Sequence, residues 1–275
     1  MNGRGEVEIQ ERTGERRDAS GERRSDDLLA AVIAHQQIQV VFQPQINPRT
    51  GEVSGAEALA RWERVANADQ LFARAAAAGL SERLSRLVQT KALRAAAAWE
   101  GPLRRLRVSV NLLAGEIASE GYDEWLMEQV HASGIDPARV TIEITESALL
   151  RDLDAVGVRL ERLRAQGIQV ALDDFGTGYA SLSYLGSLPL DCLKIDRSLI
   201  ARIGQHERDR IVVRSIFSLA RELGLRIVVE GVESTAQLVL LAEWGCDLYQ
   251  GFLGAGALDE IELARFVAVS QANAA

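Results

Sequence analysis

A chain of 275 residues, 47% of them hydrophobic, is long enough to bury one large core, in one barrel-sized domain or two small ones. Its net charge of −8 argues against binding of duplex nucleic acid, which requires a basic surface. No apolar run reaches the roughly 18 residues of a membrane span, and the charged N-terminus lacks the apolar core of a signal peptide. We therefore expect a cytoplasmic protein without a membrane span.

The N-terminal part of the chain divides into a tail and the start of a sheet. Residues 1–27 are charged and almost devoid of apolar side chains, so they are predicted to form a disordered tail before one folded domain over residues 28–275. After a short helix over 26–35, two strands are predicted over 39–44 and 53–62. The turn between them leaves no room for a crossover helix, so these strands are expected to be antiparallel.

The rest of the chain alternates between helices and strands. The alanine-rich stretch 69–100 predicts two helices, broken at Gly79, with Ser81 as the cap of the second. Further strands are predicted over residues 106–111, 140–145, 168–173, 192–196, 226–230 and 247–250, and further helices over residues 121–133, 152–166, 180–187, 207–223, 234–244 and 258–270. About eight strands in this alternation predict the α/β class and an irregular (β/α)8 TIM-type barrel with an initial antiparallel strand.

The stretch QVALDDFGTGY, residues 169–179, carries the strongest local signal. Its apolar start predicts a strand buried on both faces, and the strand ends in Asp173 and Asp174. Because adjacent strand residues point to opposite faces, both aspartates can serve one site only if the chain already turns at Asp174, which Gly176 and Gly178 permit. The alternative interpretation is a pair of aspartates that cap a helix.

Polar residues follow nearly every predicted strand, at the end where barrel enzymes place their chemistry. They are Glu57, Asn111, Glu143, Glu146, Asp173, Asp174, Lys194, Asp196, Glu230, Glu233 and Gln250. Clustered carboxylates with an amide and no histidine suit Mg²⁺ or Mn²⁺ rather than zinc. Cys192 and Cys246 lie far apart in apolar contexts and are expected to be buried side chains without a disulfide.

An oxygen-rich site for two cations beside Lys194 predicts hydrolysis of a phosphoryl ester, in which the cations activate the attacking water. Two other barrel chemistries fit the same residues. A lysine base beside Mg²⁺ could abstract a proton next to a carboxylate, as in enolase-type enzymes, and Lys194 could form a Schiff base. Lys91 and Lys194 are the only lysines among 31 basic residues, which indicates that position 194 needs a compact ammonium.

Motifs spread over residues 28–265 resemble those of the EAL-domain family, the bacterial phosphodiesterases that hydrolyse cyclic di-GMP. In chain order they are Gln43-Pro44, Glu57-Ala58-Leu59-Ala60-Arg61, Val110-Asn111-Leu112, Glu143-Ile144-Thr145-Glu146, DDFGTGYASLSYL at 173–185, Leu193-Lys194-Ile195-Asp196, Val229-Glu230-Gly231-Val232-Glu233 and Gln250-Gly251-Phe252. The resemblance implies metal-dependent hydrolysis of cyclic di-GMP to linear pGpG, by water that two Mg²⁺ or Mn²⁺ ions activate.

The resemblance also implies a role for each matching position. The implied metal ligands are Glu57, Asn111, Glu143, Asp173, Asp174 and Glu230, with Asp173 between the two ions. The implied catalytic residues are Lys194, Glu230, Gln250 and Glu57, and the implied substrate contacts are Gln43, Leu59, Arg61 and Asp196. Glu146 and Glu233 would anchor the loop after Asp174. In the family this loop is linked to a dimer interface, so a homodimer is implied.

Two segments depart from the family pattern. Residues 63–78 lack the usual proline-bearing loop, and residues 253–257 lack the usual basic residue and proline. Because both segments lie along the implied substrate rim, the alternative function is a catalytically weak or inactive receptor for cyclic di-GMP, or a protein-interaction module. A regulatory protein partner is a further expectation.

Overall fold

The structure, a computed structural model, describes residues 19–145, 153–177 and 182–274. Its strands are β1 (Gln39–Ile46), β2 (Val53–Arg61), β3 (Arg107–Leu112), β4 (Val140–Thr145), β5 (Gln169–Phe175), β6 (Cys192–Ile195), β7 (Arg226–Val229) and β8 (Leu248–Tyr249). They close into one barrel in chain order. This closure confirms the predicted α/β barrel.

Helices separate most of the strands along the chain. They are α1 (Ala19–Ala34), α2 (Ala68–Ala77), α3 (Ser81–Ala98), α4 (Ala114–Ala118), α5 (Tyr122–Ser133), α6 (Leu153–Ala165), α7 (Leu182–Ser187), α8 (Arg197–Ile200), α9 (Glu207–Glu222), α10 (Thr235–Trp244) and α11 (Glu260–Ala274). Short 3₁₀ turns at Gly101–Leu103 and Pro137–Arg139 precede β3 and β4. Over the described ranges, no helix is long and apolar enough to cross a membrane.

The barrel is irregular at its first strand, as predicted. β1 pairs antiparallel with β2, with Gln43 opposite Glu57, and it also closes the barrel by antiparallel pairing of Ile46 with Tyr249. The pairs from β2–β3 to β7–β8 are parallel. The carboxyl ends of β2 to β8 therefore meet at one mouth of the barrel.

Apolar residues of the strands and helices form one large core around the barrel. Val170 and Leu172 of β5 are buried with Leu160 of α6, and Phe42 of β1 meets Trp99 edge-on at 5.1 Å between ring centres. A separate apolar cluster fixes α1, α2 and α3 beside the first two strands; its largest members include Leu29, Ile38, Trp62, Leu71 and Leu84. This packing holds the strand ends in fixed positions.

Several predicted boundaries differ from the structure. α1 begins at Ala19 rather than Asp26, and residues 1–18 of the predicted tail lie outside the described residues. The prediction that Ser81 caps α3 is wrong: Ser81 is the first helical residue, and Leu80 precedes it without a side-chain cap. Gly79 has a φ of 69° and ends the preceding helix, so the chain re-enters a helix too quickly for Ser81 to serve as a cap.

Local hydrogen bonds create two short helices that were not predicted. The Glu116 side chain accepts from the backbone N–H of Leu113 at the start of α4, and Asp196 accepts from the backbone N–H of Ser198 at the start of α8. Cys192 and Cys246 are buried free thiols, as predicted. Asp196 therefore has a structural role in addition to its predicted place at the site.

Candidate active site

Along the strands, the residues that point into the barrel change from apolar to polar towards the barrel mouth. A small apolar cluster inside the barrel contains Ala171, Cys192, Val228 and Leu248. Because strand side chains alternate between faces, the residue two positions further on points inward again. Those next residues are Asp173, Lys194, Glu230 and Gln250. The alternation thus places polar side chains together in the layer at the barrel mouth.

Lys194 lies at the centre of this layer and is 1% exposed. Its Nζ lies 2.6 Å from Glu143 Oε2, 2.7 Å from Glu230 Oε1, 3.0 Å from Asp173 Oδ1 and 3.3 Å from Glu57 Oε2. Four carboxylates from four different strand ends therefore surround one ammonium. The structure brings together residues that are up to 173 positions apart in the sequence, counted from Glu57 to Glu230.

Both carboxylate oxygens of Glu57 accept hydrogen bonds. Asn111 Nδ2 donates to Oε1 at 2.7 Å, and Gln250 Nε2 donates to Oε2 at 2.7 Å. Gln250 Nε2 also lies 3.0 Å from Glu230 Oε1 and donates to it. The amides of Asn111 and Gln250 thus fix the orientation of the buried carboxylates in the mouth.

The chain turns at Asp174, as the sequence predicted. Asp174 has a φ of 56°, which is rare for a residue other than glycine, and its backbone N–H bonds to Asp173 Oδ1 at 2.9 Å. Gly176, with a φ of 107°, follows so close to Leu199 that a Cβ would collide with that side chain. As a result, carboxylate oxygens of Asp173, Asp174 and Glu230 lie within 4.8 Å of one another.

Burial and mutual repulsion raise the pKa of most of these carboxyl groups. Burial, with the charges of Glu57 and Asp173 nearby, holds the pKa of Glu143 well above its ordinary value. Burial likewise raises the pKa of Asp173, that of Asp174 to about 6 and that of Glu230 to about 8. Without further positive charge, these carboxyl groups therefore keep their protons to a higher pH than ordinary carboxyl groups do.

Lys194 and Glu57 are the charged pair of the cluster. Burial alone would lower the pKa of Lys194, but the surrounding carboxylates outweigh it and raise that pKa well above its ordinary value. Burial opposes ionisation of Glu57, yet Lys194 and the hydrogen bonds from Gln250 and Asn111 leave its pKa below its ordinary value. The site thus contains a fixed ammonium beside an ionised carboxylate.

A cavity of about 610 Å³ opens directly above this cluster. Of the predicted substrate contacts, Gln43, Leu59 and Asp196 line it, whereas Arg61 does not. Arg61 is the exposed last residue of β2, opposite Gln39. Glu143 and Lys194 lie below the cavity and also border a smaller internal cavity of about 60 Å³.

The remaining predicted residues lie at the edges of the site. Gln43 Nε2 donates to the backbone carbonyl of Ala255 at 3.2 Å, which fastens segment 253–257 to β1. Glu233 lines the cavity just beyond β7, while Glu146 lies outside the described residues. The predicted anchoring of the loop after Asp174 stays a prediction, because residues 178–181 also lie outside the described ranges.

Sequence reasoning missed Gln45, a buried residue of β1 beneath Gln250. The available signal was its position two residues after Gln43, since both must point into the barrel if one does. The sequence predicted no role for Phe252 beyond its place in the motif Gln250-Gly251-Phe252. In the structure, this residue lines the cavity and is 78% exposed.

Comparisons with known proteins identify the family of this chain. The family model described as "EAL domain" matches residues 25–257. Cyclic di-GMP phosphodiesterase NbdA of Pseudomonas aeruginosa is 34% identical over 262 residues, which cover 94% of this chain and 34% of that protein. The chain spans about a third of the length of the curated relatives it matches.

Solved structures give the same result. The structure named "PaMucR Phosphodiesterase, c-di-GMP complex" is 35% identical with a TM-score of 0.80, covering 86% of this chain and 97% of that one. The manganese/cyclic di-GMP complex of Klebsiella pneumoniae BlrP1 is 32% identical with a TM-score of 0.73, covering 80% of this chain and 56% of that one. This chain belongs to the EAL domain family.

Proposed function

We propose that this chain hydrolyses cyclic di-GMP to linear pGpG with two divalent cations, Mg²⁺ or Mn²⁺. The observation that carries the proposal is the convergence of four carboxylates on Lys194 Nζ, each within 3.3 Å, at the floor of an open cavity. Two similar proteins support the choice of substrate. One is named a cyclic di-GMP phosphodiesterase, and the other is a phosphodiesterase solved as a cyclic di-GMP complex.

The donor set fits hard divalent cations. Four carboxyl groups face one ammonium, and burial and mutual repulsion raise the pKa values of three of them, Glu143, Asp173 and Glu230, which supports a need for further positive charge. Glu57, Asn111, Glu143 and Asp173 would hold one ion, and Asp173, Asp174 and Glu230 would hold the other. When bound, such ions withdraw electron density from phosphate oxygens and make an attacking water more acidic.

The chain's own residues supply orientation and charge. Four carboxylates orient the Lys194 ammonium, so it would supply positive charge at the floor of the cavity, on the side of the attacked phosphate. Gln250 keeps Glu57 and Glu230 in place through its two donated hydrogen bonds. A cavity of about 610 Å³ lies within the range of roughly 300–1,000 Å³ of small-molecule sites.

Contacts around the rim belong to the same proposal. Gln43, Leu59 and Asp196 would contact the dinucleotide from the cavity wall. Arg61, at the end of β2, would contact it from outside that wall, as the family resemblance implies. Glu146 and Glu233 would anchor the loop after Asp174. A homodimer and a regulatory protein partner stay predictions of the family resemblance.

Product analysis tests the proposal. Purified protein is incubated with cyclic di-GMP and Mg²⁺ or Mn²⁺, with and without excess EDTA, and the products are separated by chromatography. We expect pGpG only with the free cation, a loss of about 100-fold or more in Glu57→Gln, and full activity in Glu128→Gln, an exposed residue of α5. Turnover that persists in EDTA would refute the proposed chemistry.

A receptor for cyclic di-GMP without turnover is the second candidate. The rim favours it, because Arg61 does not line the cavity and segment 253–257 carries no basic residue. Calorimetry distinguishes the two functions: tight binding of cyclic di-GMP with no pGpG under either cation identifies a receptor.

A further inference from the structure

Gln45 lies inside the barrel, directly beneath the polar layer of the mouth. It is 5% exposed, and its Nε2 lies 3.4 Å from Gln250 Oε1 and 3.4 Å from Ser109 Oγ. Over the described residues, this donation from Gln45 is the only hydrogen bond to Gln250 Oε1. The proposed metal ligands lie on the other side of Gln250, so Gln45 touches none of them through a hydrogen bond.

The nitrogen and the oxygen of the Gln250 amide need opposite kinds of partner: Nε2 needs acceptors, and Oε1 needs a donor. Its Nε2 donates to Glu57 and Glu230, so its Oε1 must face away from both carboxylates. In the opposite amide orientation, Oε1 would face two carboxylate oxygens and Nε2 would face the Nε2 of Gln45. Both contacts would be repulsive, so the donor of Gln45 favours the observed orientation together with the two carboxylates.

Gly55 leaves the space that Gln45 occupies. The two residues are paired across β1 and β2, and a Cβ at position 55 would lie 2.9 Å from Gln45 Oε1. Gly55 has no positive φ, so backbone conformation does not require glycine here. The missing side chain instead permits the close approach of Gln45.

The smaller internal cavity shows why this contact matters. It is bordered by Gln45, Ser109 and Thr141 from below and by Glu143 and Lys194 from above, and it measures about 60 Å³. A side chain beside such a space could turn away unless contacts fix it. The register with Gly55 and the donation to Gln250 provide those contacts.

We propose that Gln45 is a positioning residue that sets the amide orientation of Gln250, and through it the positions of Glu57 and Glu230. The inference rests on the proposed function, because it assigns Gln45 to the hydrolysis carried out above it. Gln45 does not touch the substrate or the reacting atoms, so its effect should depend entirely on Gln250.

Three variants separate this role from a general effect on the fold. Gln45→Met keeps the length of the side chain and removes the amide, Gly55→Ala keeps Gln45 but displaces it, and Gln166→Met is the control on an exposed glutamine. For the first two we expect kcat to fall about 3- to 10-fold with unchanged KM, the size of one lost hydrogen bond. The control should match the wild type.

A double-mutant cycle gives the decisive readout. If Gln45 acts through Gln250, then Gln45→Met should cause no further loss of kcat in a Gln250→Met background. Equal losses in both backgrounds, or no loss in either, would overturn the inference. If thermal unfolding shows that Gln45→Met does not fold, the same double-mutant cycle is measured with Gly55→Ala in its place. Its result then decides whether the inference holds.

Calorimetric titration with Mn²⁺ tests the positioning role of Gln45 independently of whether the protein hydrolyses cyclic di-GMP. If the wild type makes no pGpG, the proposed hydrolysis fails, while the positioning role still predicts weaker Mn²⁺ binding by about 3- to 10-fold in Gln45→Met and Gly55→Ala. Affinities equal to those of the wild type and of Gln166→Met would overturn it.

Discussion

Two buried polar clusters lie next to each other in this barrel and differ in how their charges are balanced. The mouth cluster consists of Lys194, its four carboxylate partners Glu57, Glu143, Asp173 and Glu230, and Gln250. The Gln89 network consists of Ser85, Gln89, Glu116 and Tyr122 on α3 to α5. Both are almost completely buried. The mouth cluster sets four carboxyl groups against one ammonium, whereas the Gln89 network contains a single carboxyl group, that of Glu116.

Within the described residues, every buried side-chain polar atom of the Gln89 network has a hydrogen-bond partner except Glu116 Oε1. Gln89 Nε2 donates to Ser85 Oγ at 2.9 Å and to the backbone carbonyl of Asn111 at 3.0 Å, while Gln89 Oε1 accepts from Tyr122 Oη at 2.8 Å. Glu116 Oε2 accepts from Ser85 Oγ at 2.7 Å and from the backbone of Leu113. The network thus ties α3, α4 and α5 to the end of β3, next to the mouth.

The difference separates a structural polar cluster from one suited to binding. A closed network of mostly neutral partners stabilises the fold without any ligand. A cluster with four carboxylates around one ammonium is costly to bury until cations complete it. We therefore expect variants of the mouth cluster to depend on divalent cations and variants of the Gln89 network to be independent of them.

The largest effect is expected for Lys194→Met. The variant leaves four buried carboxyl groups without their ammonium, so the free energy of unfolding in EDTA should fall by about 3–5 kcal/mol. Mn²⁺ should restore part of that loss, because it supplies positive charge to the same oxygens. Urea unfolding of the variant and the wild type, each with EDTA and with Mn²⁺, measures both quantities.

Lys91→Met is the matched control, since Lys91 is the only other lysine in the chain. Its Nζ donates to the backbone carbonyls of Gln36 and Ile38, neither of which belongs to the carboxylate cluster. The variant should lose stability equally with EDTA and with Mn²⁺. A Lys194→Met loss that is likewise unaffected by Mn²⁺ would contradict the proposed cation site.

A smaller loss is expected for Gln89→Met. The substitution keeps the length of the side chain but leaves Tyr122 Oη and the Asn111 carbonyl without their buried partner. The free energy of unfolding should fall by about 2–3 kcal/mol, and by the same amount with EDTA and with Mn²⁺. Cation-dependent stability of this variant would show that the two clusters are not independent. Urea unfolding under the two conditions provides the test.

The sequence predicted the mouth cluster better than the Gln89 network. Asp173, Lys194 and Glu230 each end an apolar run, and parallel strands bring such ends together without any knowledge of side-chain packing. Gln89 lies in the middle of an alanine-rich helix, where polar residues normally face solvent. Only the packing of α3 against β3 shows that this residue points inward.

The same reasoning explains why details of the rim and of one helix start were not predicted. Strand alternation predicts which face a residue takes, but it does not predict that Arg61 ends β2 beyond the cavity wall. The cap of α3 depends on how tightly the chain turns after Gly79, and Ser81 comes one residue too late. Strand alternation from Gln43 could have placed Gln45 inside the barrel, but it could not identify its partner Gln250, which is 205 residues away.

Tyr122→Phe should produce a modest loss in the same network. It removes one buried hydroxyl and leaves Gln89 Oε1 without a donor, while the ring keeps its contact with Trp125. The free energy of unfolding should fall by about 1 kcal/mol. Denaturant unfolding with unchanged m-value measures it, and a loss as large as that of Gln89→Met would mean that the ring packing had changed.

The smallest change in the free energy of unfolding at acid pH is expected for Glu116→Gln. This change should increase as the pH rises. Burial, partly opposed by hydrogen bonds from Leu113, Ser85 and Gln89, raises the pKa of Glu116 above its ordinary value of 4.5. Between that value and the raised pKa, the unfolded chain has lost a proton that the folded chain retains, so wild-type stability falls as pH rises. The neutral side chain of the variant removes this dependence. Urea unfolding in EDTA should show that the free energy of unfolding of the variant rises relative to that of the wild type from about pH 4.5 upward. A difference between the two that stays constant with pH would contradict the raised pKa.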